Sequence, residues 1–182
     1  MGLAVRSVLT SSKTLPLVLA LGCGGDAPTS EVAPPPTGPP RSITFANLSL
    51  VGSDIDALLE AIFEGDDGEA ETDFEFPTEV AALDGERVAI VGYMLPLDYD
   101  DDGGVVHFMC VRDFAACCFG GIPRPDEWVD VRMAAGRSAA LFLGGAPILV
   151  TGALSVGLNR DEGEFLSSAF QMIGESVEVA QF

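Results

Sequence analysis

Arg87-Val-Ala-Ile-Val-Gly-Tyr-Met-Leu95 is the stretch on which the fold turns. Its β-branched and aromatic residues read as a strand, entered through the Asp84-Gly85 turn. Gly92 lies inside that strand, where a glycine marks a bulge or a sharp coil. The same signature recurs in Pro147-Ile-Leu-Val-Thr-Gly-Ala-Leu-Ser-Val156, with Gly152 in its interior. Two long strands with interior glycines are what a small closed barrel needs at its corners.

Working outward, Val105 to Arg112 and Glu127 to Met133 read as further strands, followed by Phe165 to Ile173 and Val177 to Ala180. Gly, Pro and Asp separate them, the spacing of a sandwich or small barrel. Upstream, Ser42 to Leu50 carries Ile43, Phe45, Leu48 and Leu50 and reads as a short strand. Ser53 and Asp54 then offer an N-cap to Ile55, Leu58, Leu59, Ile62 and Phe63, which recur at helical spacing up to Gly65. Asp66 to Glu75 is an acidic loop. The expectation is a mainly β protein: a small OB-like barrel of five to six strands with one N-terminal helix. Residues 42–75 form the lead-in and residues 76–182 the barrel.

The first 41 residues read as targeting and tether rather than fold. Arg6 and Lys13 precede the apolar run Leu15 to Gly22, which is far too short to cross a bilayer and fits a secretory leader over residues 1–22. Leu19-Ala-Leu-Gly-Cys23 resembles a bacterial lipobox, which makes Cys23 the lipidated first residue of the mature chain. Residues 23–41 are rich in Gly, Pro and Thr, including Pro34-Pro35-Pro36, and read as a semi-rigid spacer. The expected location is a bacterial membrane, lipid-anchored and facing the periplasm or the exterior. After residue 22 the chain holds seven arginines and no lysine against 28 acidic residues, a net charge of −21. That balance excludes nucleic-acid partners, whose phosphates demand basic patches, and is the composition of a solvated acidic shell.

Six short blocks then fall in order: Phe76-Pro-Thr-Glu-Val80, Leu83-Asp-Gly-Glu-Arg-Val88, Gly92-Tyr-Met-Leu-Pro-Leu97, Cys117-Cys-Phe-Gly120, Pro123-Arg-Pro-Asp-Glu127 and Val150-Thr-Gly-Ala-Leu154. The series resembles a bacterial family of exported proteins of unknown function, often lipoproteins, with an OB-like core. The resemblance covers about Phe76 to Phe182 and implies fold and location, with no activity attached.

Candidate chemistry centres on the thiols. His107, the single histidine, joins Cys110, Cys117 and Cys118 in an H-x2-C-x6-C-C spacing that superficially suits zinc. On a regular strand His107 shares a face with Met109 and not with Cys110, so one four-ligand site needs distortion. Subsets are easier: Cys110 with Cys117 or Cys118, or His107 and Met109 with one thiolate, soft sets that favour copper or zinc. The competing reading is a disulfide between two of Cys110, Cys117 and Cys118, pinning the loop to the barrel. A thiol-redox role is a third reading, against which stands the missing C-x-x-C. Asp98, Asp100 and Asp102 open like a calcium loop, but the twelfth position is Met109 where Glu is required, and an acidic hairpin tip fits better. No Gly-x-Ser-x-Gly elbow surrounds Ser167 and Ser168, so nucleophilic catalysis has no constellation to rest on. The sequence therefore points to a non-enzymatic binding or scaffolding domain in the cell envelope. A copper- or zinc-binding protein is the alternative, and a thiol-redox protein the second.

Overall fold

The structure is a computed structural model that describes residues 38–63, 74–114, 123–142, 145–159 and 168–181, all within the compact unit Pro34–Phe182. The expected leader, Cys23, Cys117, Cys118, most of the tether and most of the acidic loop 66–75 lie outside the described residues. Six strands follow in chain order: β1 (Arg41–Ile43), β2 (Arg87–Tyr99), β3 (Val105–Val111), β4 (Trp128–Met133), β5 (Ile148–Asn159) and β6 (Ser168–Val179). Two helices, α1 (Ile55–Phe63) and α2 (Thr78–Ala81), precede β2. None of the described helices is long and apolar enough to cross a membrane.

The sheet order is β1-β2-β3-β4-β6-β5, and β5 returns to β2. Five strands therefore close into a barrel, with β1 added in parallel beside β2 over Arg41–Ile43. The β4–β6 junction is parallel, Asp130 opposite Gln171, and the other junctions around the ring are antiparallel. This is the OB-like arrangement expected.

The interior glycines act as anticipated. β2 pairs with β5 from Arg87 to Gly92 and with β3 from Tyr93 to Tyr99, so it changes partner immediately after Gly92. A Cβ there would stand 2.6 Å from Cys110 Sγ and 2.8 Å from the Val111 carbonyl oxygen. Gly152 faces Gly174, at the place where the β5–β6 register slips and leaves Glu175 as the extra residue. A Cβ on Gly152 would collide with the Ile173 carbonyl. Both glycines let two backbones approach where the barrel bends.

Three local expectations differ. Ser42 to Leu50 is not one strand: β1 ends at Ile43, and a 3-10 turn spans Phe45–Leu48. Asn47 Oδ1 accepts the Thr44 N–H at 2.9 Å, a side-chain bond that competes with strand pairing. The last two expected strands are one, β6, carried through Gly174 by the Glu175 bulge. The short helix α2 follows Pro77, where the fixed φ of proline sets up a first helical turn. The core draws on every strand and on the lead-in: Ile43, Phe45, Leu48, Leu50 and Leu58 pack with Ile90, Phe108, Val131, Leu154 and Phe170.

Candidate functional site

Alternation along β3 and β4 sorts the candidates between the two sides of the barrel wall. Phe108, Cys110, Val129 and Val131 belong to the core, so His107, Met109, Asp130 and Arg132 occupy the outer face. The pairing of β2 with β3 steps from Asp98–His107 to Tyr99–Val105, which leaves Val106 as a bulged extra residue. That bulge puts Val105 back into the core. It lies on the far side of His107 from Cys110, and so does not bring those two together.

On the outer face His107 Nε2 and Asp130 Oδ1 stand 2.5 Å apart, with side chains only 15% and 13% exposed. Arg132 Nε lies 3.8 Å from the second Asp130 oxygen. Met109 is the register partner of Asp130 on β3, Gln171 on β6, and Asp98 faces His107 from β2. Gln171 Nε2 is committed elsewhere, donating to the Ser168 carbonyl and hydroxyl and to the Gly157 carbonyl, which ties the base of the β5–β6 connection. The result is a patch of histidine, carboxylate, guanidinium and thioether on one wall. An imidazole that activates a side-chain nucleophile needs that group within hydrogen-bond reach. Among the described residues no hydroxyl or thiol is recorded bonding His107, whose recorded partner is Asp130.

Cys110 is elsewhere. It is a free thiol, fully buried beside Phe108 and Gly92, and burial pushes its pKa up to about 12. A thiol so held is a core residue by environment. Among the described residues no three His, Cys, Asp or Glu side chains are grouped to hold a metal ion. The Asp98–Asp102 segment forms the tip of the β2–β3 hairpin. Asp100 accepts the Asp102 and Gly104 N–H groups at 3.1 and 2.7 Å. Its pKa is lowered by a hydrogen bond from Ser138 first and by the Gly104 N–H next. Asp98 accepts the N–H of its neighbour Tyr99.

Two carboxylates escaped sequence reasoning because a chain this acidic hides individual ones. Asp130 is the first. Asp126 is the second: only 6% exposed, it accepts the Leu50 N–H at 3.0 Å and a two-point contact from Arg124 at 3.0 and 3.3 Å. That explains the Pro123–Glu127 block, which clamps the segment after β1 to the entry of β4. Clefts flank the clamp on each side, about 230 Å³ beside Val111, Arg112 and Glu127 and about 330 Å³ beside Val51, Ser53 and Arg124.

A family described as "Protein of unknown function (DUF3299)" matches residues 51–179. The chain is also similar to the crystal structure of a DUF3299 family protein from Pseudomonas aeruginosa PAO1, at 24% identity and a TM-score of 0.55, covering 80% of this chain and 99% of that one. At that identity the likeness speaks for the fold alone. No curated protein matches the chain.

Proposed function

We propose, from the premise that the chain belongs to the DUF3299 family, that it is an exported, lipid-anchored binding or scaffolding domain without catalytic activity. Its ligand surface is the outer wall of β3 and β4 around His107 and Asp130. The observation that carries this reading is the half-buried His107–Asp130 pair on the outside of the barrel. A histidine–carboxylate pair withdrawn from water on a strand's outer face adds little net stability, because desolvation offsets the hydrogen bond it gains. Barrels of this connectivity take ligands on the equivalent strands. The apolar leader, Cys23 and the proline-rich spacer support an anchor that holds this wall away from a membrane.

Two measurements on the full chain test the reading. Membrane fractionation of the wild type against Cys23→Ala should move the variant to the soluble fraction; an unchanged membrane fraction sinks the anchor. A photo-crosslinking residue at Met109 should capture a partner that the same residue at Glu178 does not, with capture lost in Asp130→Asn. Equal capture at both positions sinks the binding wall.

A further inference from the structure

We infer that the end of the β2–β3 hairpin, through Leu97 and Tyr99, docks a basic segment of a partner protein with apolar residues interleaved; this goes beyond the β3–β4 wall proposed above and adds a separate surface on β2. Leu97 and Tyr99 are 48% and 46% exposed, among the few large apolar side chains left open to water among the described residues. They lie in the part of β2 beyond Gly92, which has β3 on one side while the recorded β5 and β1 pairings end at Gly92 and Ile90.

An open edge of this kind invites strand addition, but here the ladder is blunted. Pro96 has no N–H, Leu97 is the extra residue at the Pro96–Asp98 register shift, and the Tyr99 N–H is taken by Asp98 at 2.8 Å. A partner therefore meets side chains rather than a backbone template. The hairpin tip is tied by its own hydrogen bonds and by a bridge to Ala139. Asp100 N–H donates to the Gly104 carbonyl at 2.8 Å, Gly103 N–H returns to the Asp100 carbonyl at 3.0 Å, and Val105 exchanges two 2.9 Å bonds with Ala139. Pre-organisation of this sort lowers the ordering cost of association.

Charge decides the kind of partner. Asp98, Asp101 and Asp102 are exposed around Leu97 and Tyr99, in a chain whose part beyond the leader carries −21. An acidic or nucleic-acid segment is repelled by that surround. Lysine or arginine is attracted to it and stacks on the Tyr99 ring. Leu97 accepts an apolar neighbour of that cation.

The test uses the full chain and three synthetic twelve-residue peptides, built from Arg and Leu, from Arg and Ser at equal charge, and from Glu and Leu. Fluorescence anisotropy at near-physiological salt reads their affinities. The Arg/Leu peptide should bind, and the Arg/Ser peptide should bind about tenfold more weakly. Leu97→Ala and Tyr99→Ala should each weaken Arg/Leu binding by about tenfold, with circular dichroism unchanged. Equal affinity of both variants and wild type overturns the proposal, because the attraction is then generic charge. Loss in His107→Ala with Leu97→Ala unaffected also overturns it, while leaving the β3–β4 wall as the binding surface. Absence of binding by all three peptides overturns this choice of partner.

Discussion

Cys110 offers the sharpest check on how this barrel treats its thiols. Remove the others with Cys23→Ala, Cys117→Ser and Cys118→Ser, so that Cys110 alone can react. Its thiol is shielded on the inner wall, and its pKa moves from 9.0 to about 12. At pH 8 that leaves about one thousandth of the thiolate that an unperturbed cysteine carries, since each pH unit is tenfold. Steric closure of the core slows attack further. A chromogenic disulfide reagent should therefore label the folded protein at least about a thousandfold more slowly than the urea-unfolded chain. The same shift makes a stability statement. Because the folded thiol holds its proton more tightly, its contribution is present below pH 9 and is lost as pH rises toward 12. Over that window the loss approaches about 4 kcal/mol. Urea unfolding from pH 8 to 11, with and without Cys110→Ala, isolates this contribution as a gap that changes with pH. Folded-state labelling within about tenfold of the unfolded rate, or parallel curves for the two proteins, would refute the reasoning.

Gly152→Ala should cost about 2 kcal/mol in urea or thermal unfolding, because the added methyl meets the Ile173 carbonyl and comes within 2.8 Å of Met172 Cγ. Gly38→Ala, with nothing within 4 Å, is the neutral control; equal stability of the two variants defeats the corner argument. Asp100, held low by Ser138 and the Gly104 N–H, stabilises the hairpin tip above the ordinary carboxylate range and loses that contribution as pH falls through its own lower midpoint. Carbon-detected NMR should place its titration below 3.8, and a midpoint at or above that value contradicts the turn geometry. A double-mutant cycle on His107→Ala and Asp130→Asn should return a coupling of about 1 kcal/mol in unfolding, whereas strict additivity would mean the pair is not formed in solution. Metal analysis of anaerobically purified protein should find no stoichiometric zinc or copper. One equivalent that disappears in Cys117→Ser or Cys118→Ser would turn the reading from binding domain to metal handling.

Much of the barrel was legible from local pattern. β-branched runs, turn residues and the helical spacing of Ile55, Leu58 and Phe63 act over a few residues, so composition and order suffice to place β2 to β5 and α1. Gly92 and Gly152 announced corners because a glycine inside a strand has a steric use only where backbones crowd. The chain's acidity and the leader pattern were likewise readable without any coordinates. What the tertiary structure decided depends on register. Which residue faces which across a ladder follows from bulges at Leu97, Val106 and Glu175, and a one-residue slip exchanges the two faces of a strand. Hence His107 found Asp130 on β4, 23 residues away, whereas its separation from Cys110 was already given by strand alternation. Asp126 reached Leu50 across 76 residues because the lead-in after β1 packs against the turn that enters β4. Polar pairs of this kind are set by closure of the barrel, which no local window of the chain contains.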